Sequence, residues 1–284
     1  MFLPRCRRVA VLAVACAVAV LPFVLGCPGE RGPRRLLVYT ACYGFRHGSI
    51  PVASEAIEAL GQESGAFETV VTDDMDMFEP ARLKEFDAVC LNNTTGELFG
   101  LKPHTKIESL PPEQQEKVGR LRQSLMDFVR GGKGIVGIHA ATDCSYEWAE
   151  YGEMMGGYFD GHPWHEEVGV KIDDPEHPLC AVFGGEGFTI KDEIYVFRAP
   201  YSRKRLRVLL SLDMEKTSPK GKRSDNDYAV AWVRGWGKGR VFYCSLGHRN
   251  EIFKNPKVLR FYLDGIRFAL GDLPADTTPS EAGE

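Results

Sequence analysis

Short β-branched runs separated by helical patterns fill residues 36–140, and this alternation restricts the fold more than any other feature of the chain. The runs are LLVYT (36–40), FETVVT (67–72), DAVCLNN (87–93) and GIVGIHA (134–140), with helical patterns near 50–61 and 112–130. Short β-branched runs separated by helices indicate a parallel sheet with helical crossovers. The clearest helix is 112–130. Pro111 and Pro112 open it, Glu113 and Glu116 lie in its acidic first turn, and Gly131-Gly132 end it. Val118, Leu121, Leu125, Phe128 and Val129 share one face of that helix.

Past residue 165 strands follow one another with few helices: EVGVKI (167–172), FTIKDEIYVFR (188–198), RVLLSL (207–212), YAVAWVR (228–234) and GRVFYCSL (239–246). A final amphipathic helix covers Pro256 to Leu270. The expected fold class is α/β, a mostly parallel open sheet flanked by helices, with extra antiparallel strands in the C-terminal half. Residues 36–271 are expected to form one domain, and 272–284 (DLPADTTPSEAGE) a disordered tail.

The first segment reads as an address. Residues 1–26 carry a basic start (Arg5, Arg7, Arg8) and an uncharged apolar run of 17 residues, Val9 to Leu25, interrupted by Pro22. This is the layout of a secretory signal peptide, and the run is at the lower edge of what spans a bilayer. Val24-Leu25-Gly26-Cys27 resembles a lipobox, in which Cys27 is lipidated. The plainer alternative is cleavage near Gly26 with Cys27 left free. Residues 27–35, rich in Pro, Gly and Arg, form a polar tether. The expected location is outside the cytoplasm, periplasmic or tethered to a membrane only through an N-terminal lipid anchor.

Charge narrows the partners. The formal charge is -4, and removing three arginines with the signal takes it to -7. A chain of that sign lacks the basic face that binding to nucleic acid requires. Beyond Cys27 five cysteines remain, Cys42, Cys90, Cys144, Cys180 and Cys244, an odd number with no CxxC pair. That is neither a disulfide framework nor a thiolate zinc site.

Open α/β sheets bind ligands outside the carboxyl ends of their strands. Three such loops each deliver a histidine: His47 after the first run, His139 after GIVGI, and His248 after the last strand. Each also has a plainer role open to it, helix capping for His47, core packing for His139, a turn for His248. A further cluster, Asp160-Gly161-His162-Pro163-Trp164-His165, sits where Gly and Pro hold a loop rigid. Imidazole with carboxylate suits zinc, manganese or iron, so a divalent metal held by His47, His139, His162 or His248 is one expectation. Tyr158, Trp148 and Trp164 offer flat faces for a sugar ring, or belong to the core. Asp192-Glu193 interrupts an apolar strand, and alternation sends the two carboxylates to opposite faces; a solvated edge pair is the other reading.

GIHAATD (137–143), YFDGHPWHEE (158–167), Asp174 with His177-Pro178, DEIYVF (192–197), GWGKGRVFY (235–243) and SLGHRNE (245–251) resemble the trehalose-utilisation (ThuA-like) family. The resemblance implies a class I glutamine amidotransferase-like (flavodoxin-like) fold and a carbohydrate or keto-sugar partner. In the amidotransferases a cysteine occupies a GxCxG elbow. The corresponding residues here are Gly137-Ile138-His139-Ala140-Ala141, with histidine in the cysteine's place. His248 matches the late histidine, while Glu251 lies one residue beyond the usual His-x-Glu spacing, and Cys144 is five residues past the elbow. A glutamine amidotransferase activity is therefore not expected. The expected catalytic residues are His139, Asp143, His248 and Glu193, with His47, Tyr158, His162 and Trp164 binding substrate. The expected reaction is acid–base isomerisation, hydration or elimination on a sugar, metal-assisted or not. A non-catalytic carbohydrate-binding lipoprotein is the alternative, and a two-carboxylate glycoside hydrolase a weaker third.

Overall fold

The computed structural model describes residues 32–281. The signal peptide, the Cys27 lipidation site and all but the end of the tether lie outside the described residues.

The apolar runs form strands β1 (Arg34–Tyr39), β2 (Phe67–Thr72), β3 (Ala88–Asn92) and β4 (Gly134–Ile138). Helices α1 (Ile50–Ser64), α2 (Pro80–Leu83) and α3 (Pro112–Arg130) connect them. After β4 come α4 (Ala149–Met155), β5 (Tyr158–Phe159), β6 (Trp164–Ile172), β7 (Phe188–Ile194) and β8 (Phe197–Arg198). Strands β9 (Arg207–Leu212), β10 (Ala229–Trp236) and β11 (Gly239–Cys244) and helix α5 (Pro256–Leu270) complete the order. Nine strands make one sheet in the order β2-β1-β3-β4-β11-β10-β9-β6-β7, and β5 pairs with β8. From β2 to β11 all neighbours are parallel; from β11 to β7 all are antiparallel. This is the mostly parallel α/β sheet with antiparallel additions expected from the run spacing.

Why the first strands read as continuous apolar runs is visible in β1. Leu36 and Val38 pack with Ala53 and Ile57 of α1 and with the apolar face of α5. Leu37 and Tyr39 face the opposite layer, with Leu121 and Leu125 of α3 and Tyr151 of α4. With both faces covered, no position in the run is free to be polar. Helix α3 buries the same five side chains that its periodicity marks. Each contributes roughly 1.5–3 kcal/mol before entropy is counted.

Differences from expectation are local. Strand β6 begins at Trp164, so His165 is a strand residue paired directly with Glu193. The run 188–198 is broken after Ile194 because Val196 leaves the sheet: its N–H bonds to the Gly161 carbonyl, and its carbonyl accepts from Asp160. Residues 272–281, expected to be disordered, lie along β9 and its approach. The Ser280 hydroxyl accepts from the Val208 N–H (2.8 Å), the Ser280 N–H bonds to the Leu206 carbonyl (2.9 Å), and Asp276 pairs with Arg207. An otherwise open run of backbone groups explains the docking. The described residues from 33 to 281 form one compact unit.

One arrangement positions the site. Strand β6 pairs with β9 only through Val170, Lys171 and Ile172, whereas seven of its residues pair with β7. The other end of this hairpin therefore runs free of β9 and carries Asp192 and Glu193 to the loop after β11.

Helix and sheet approach closely at Gly134, where an added Cβ would stand 2.0 Å from the Ala269 carbonyl oxygen of α5. Gly134→Ala should cost about 1–3 kcal/mol, as overpacking does, measured as a lowered urea midpoint with unchanged slope.

Candidate functional site

The three histidines expected at strand ends meet. His47 follows β1, His139 follows β4 and His248 follows β11, and all three strands run parallel. Ring centroids are 4.9 Å apart for His47–His139, 5.3 Å for His47–His248 and 5.5 Å for His139–His248. Glu193 joins them from β7. Its Oε1 is 3.3 Å from His248 Nδ1 and 3.6 Å from His139 Nε2; its Oε2 is 3.5 Å from His162 Nδ1 and 3.8 Å from His165 Nδ1.

Local backbone explains each placement. His139 has φ of +46°, a left-handed conformation that costs energy for a residue with a Cβ. Its carbonyl accepts the Tyr243 hydroxyl at 2.7 Å, which helps hold the strained turn. At Gly137, two residues earlier, a Cβ would press within 2.9 Å of the Tyr243 ring. His47 does not cap α1: the flanking Ser49 gives its hydroxyl to the Gly247 carbonyl at 2.7 Å, tying the first loop to the last. Asp192 accepts the backbone N–H groups of Gly247 (2.6 Å), His248 (3.3 Å) and Arg249 (3.0 Å). Both members of the Asp192-Glu193 pair are buried, so the solvated reading is replaced by one anchor and one site acid.

The site opens into a pocket of about 310 Å³, at the small end of ligand-binding cavities. His47, His248 and Glu193 line it together with Asp143, His162, Phe45, Phe159 and Tyr195. Asp143 accepts the Tyr146 hydroxyl at 2.6 Å; burial nevertheless raises its pKa above the ordinary carboxylate value. Burial pushes Glu193 in the same direction, but the His139 and His248 imidazoles beside it outweigh burial and hold the carboxyl well below its usual range. His248 is raised by the Glu193 carboxylate beside it, against burial. His47 is lowered to about 3, first by burial and then by His139 and His248.

Two expected substrate-binding residues are elsewhere. Trp164 has no exposed surface, donates its indole N–H to the Ser218 carbonyl at 2.7 Å and packs on Tyr228. Tyr158 is buried, with its hydroxyl donating to the Trp148 carbonyl at 2.7 Å and accepting from Gly152 N–H. Both are core residues, and Trp148 is buried with them. His162 stays at the site but is half exposed at its rim. Asp174 and His177 are structural: Asp174 pairs with Arg207, and His177 bonds to Leu179 N–H and the Asp276 carbonyl. Tyr201 and Arg203 both bond to Asp227. Cys144 is buried, with its thiol pushed up to about 12, so it is no nucleophile.

The aromatic walls the sequence reading missed are Phe45, Phe159 and Tyr195. Tyr195 was within reach of the strand argument, since it lies two residues past Glu193 on the same face. Phe45 is 65% exposed, a large apolar surface at the pocket mouth.

Strand-end loops of a parallel sheet that converge on an imidazole and carboxylate pocket, with histidine in a strained elbow, define a flavodoxin-like α/β domain with a histidine-rich site. The chain belongs to the trehalose-utilisation (ThuA) family, whose model matches residues 35–269. A ThuA-like protein from Bacteroides uniformis has the same fold (TM-score 0.61, 23% identity, covering 86% of this chain and 95% of that one). So does a ThuA-like protein from Parabacteroides merdae (TM-score 0.62, 16% identity, covering 88% and 94%). A cytoplasmic protein from Salmonella typhimurium is more distant (TM-score 0.53, 13% identity, covering 83% and 98%). Among curated proteins none matches this chain.

The charge pairing gives a pH signature in metal-free protein. His248, raised in the folded state, adds stability that is present below pH 6.5 and lost as pH rises through its folded value. Glu193, depressed, adds stability that is present above pH 4.5 and lost as pH falls through its folded value. An NMR titration should find His248 above 6.5 in the wild type and lower in Glu193→Gln, where the largest raising influence is gone and Asp192 alone opposes burial and Arg249.

Proposed function

We propose that this chain is an exported enzyme of carbohydrate utilisation that moves a proton on a sugar or keto-sugar, leading to isomerisation, hydration or elimination. The observation that supports it is the pairing, in one small pocket, of the buried Asp143 carboxylate with the His248 imidazole that Glu193 holds toward its charged form. Asp143 is the base. A carboxyl whose ionised form is destabilised by burial is closer in basicity to neutral pH than an ordinary aspartate. The Tyr146 hydroxyl fixes one of its oxygens and leaves the other for substrate.

In the proposed step Asp143 removes the proton from the carbon next to a sugar carbonyl. The C–H electron pair moves into a carbon–carbon double bond, and the carbonyl oxygen takes up negative charge. The His248 imidazole, whose charged form the Glu193 carboxylate favours, stabilises that oxygen, as preorganised donors do for developing oxyanions. If Asp143 returns the proton to the former carbonyl carbon while the proton of the adjoining hydroxyl passes to the first oxygen, a new carbonyl forms next door and the isomerisation is complete; if the enolate instead reforms its carbonyl and expels a β-oxygen, which takes the proton from Asp143, the elimination is complete. The aromatic faces of Phe45, Phe159 and Tyr195 suit the C–H face of a sugar ring, with polar groups fixing its orientation. Residues 1–27, with their signal layout ending at Cys27, support a location outside the cytoplasm.

Asp143→Asn should reduce turnover of keto-sugars derived from trehalose by about 10²–10⁴-fold while leaving the unfolding midpoint nearly unchanged. In deuterated water the wild type should wash deuterium into the carbon beside the carbonyl, read by proton NMR. Thermal stabilisation by these sugars without exchange or product would favour the non-catalytic binding protein and overturn the catalytic reading.

In fractionated cells expressing the full chain, the protein should be found outside the cytoplasm and start at Cys27 by mass spectrometry. An intact Met1 start in the cytoplasmic fraction would overturn that placement.

A further inference from the structure

We propose that His47, His139, Glu193 and His248 bind one late first-row divalent cation, with zinc the first candidate. This deepens the proposed function by naming the source of positive charge in the same pocket, and it stands on geometry that does not depend on the reaction.

The first observation is a fixed tautomer. His139 Nδ1 is 2.6 Å from the Ser245 carbonyl oxygen. A carbonyl only accepts, so the ring proton of neutral His139 resides on Nδ1 and Nε2 presents a lone pair. That lone pair is buried, has no hydrogen-bond partner and points toward Glu193 Oε1 at 3.6 Å. A lone pair facing a carboxylate oxygen in a dry site is unfavourable unless a cation lies between them.

The second observation is that His139 is not alone. His248 Nδ1 and His47 Nδ1 are also buried without a partner. One nitrogen from each of the three imidazoles and one oxygen of Glu193 all lie within 4.8 Å of one another. Buried polar atoms are almost always paired, so three orphaned imidazole nitrogens around one carboxylate point to a missing shared partner.

Distances suit a metal of zinc's size. With bonds of about 2.0–2.2 Å, tetrahedral ligands stand about 3.3–3.6 Å apart. The two contacts to Glu193 Oε1 are 3.3 and 3.6 Å, and the longer span within the set closes with a small side-chain adjustment. Three imidazoles and a carboxylate suit zinc, cobalt, nickel or iron better than magnesium or calcium, which favour all-oxygen sets. The Ser245 carbonyl on His139 is the outer partner that metal-bound histidines normally have. His47 is neutral across the working range, as a ligand must be. The sequence had suggested His162 for such a set. Its half-exposed ring faces the other carboxylate oxygen, and Glu193 takes its place.

The competing arrangement is a proton-only cluster, with imidazolium groups bonded to Glu193. Metal content of the purified full chain separates the two. About one ion per chain by mass spectrometry is expected, removed by a chelator with a fall in Tm and restored by zinc. Cobalt(II) should replace it with the visible absorption of a tetrahedral nitrogen–oxygen site. His248→Gln and Glu193→Gln, which keep side-chain size, should hold less than a tenth of the wild-type ion, while the exposed His104→Gln should hold all of it. No stoichiometric ion in the wild type together with no Tm response to zinc, manganese or cobalt overturns the proposal. So does full occupancy in both His248→Gln and Glu193→Gln, which would place the ion elsewhere. Metal binding without sugar turnover would instead count against the proposed reaction alone, and undiminished turnover by ion-free protein against the metal alone.

Discussion

Asp192 is the tie on which the site depends. It has no solvent-exposed surface and accepts the backbone N–H groups of Gly247, His248 and Arg249. A carboxylate with three amide donors is a strong buried arrangement, and removing it would leave those donors unpaired. Strand β7 is at the far edge of the sheet from β1. This tie fixes the end of β7 to the central loop after β11, and Glu193 comes with it as the next residue. The second tie, from Ser49 to the Gly247 carbonyl, draws the His47 loop to the same point.

Much of the fold was legible because burial on both faces leaves a plain signal. The stretches 36–39 and 134–138 are apolar throughout, and the strands end within two residues of the runs at 36–40, 67–72 and 134–140. The site was legible in part for a topological reason. His47, His139 and His248 each follow a strand, and parallel strands place such loops at one edge. Glu193 was visible as an acid inside an apolar strand. Its partner Asp192 was not visible as an anchor, since three amide donors from a loop 55–57 residues away leave no mark in sequence. The aromatic assignment failed at Trp164 for a reason of parity. His165 faces Glu193 across the β6–β7 pair, so Trp164 turns to the core. Pro163 hid where that strand begins and therefore which residues share a face. The tail was misread because Pro, Thr and Ser give no apolar signal, although its hydrogen bonds to Val208 and Leu206 need none.

The elbow at His139 shows how a backbone device outlasts one chemistry. A positive φ lifts the side chain out of the line of the strand and aims it into the space beyond the sheet edge. With a cysteine there, the same turn would present a nucleophile. With an imidazole whose other nitrogen is held by the Ser245 carbonyl, it presents a lone pair of fixed direction. The backbone strain serves aim in either case, and the side chain decides what is aimed.

The hairpin of β6 and β7 has its root in three paired positions on β9 and its tip over the parallel half. It is a cantilever. His47, His139, His248 and Asp143 stand at the ends of the parallel strands, while Glu193 rides on the overhang. Because Asp192 grips the backbone of His248, twisting the overhang would shift Glu193 and that histidine together and leave His47 and His139 where the parallel strands hold them. The spacing between Glu193 and His139 is therefore set by how far the overhang reaches, and a change in hairpin length would alter it without rebuilding the parallel half of the sheet.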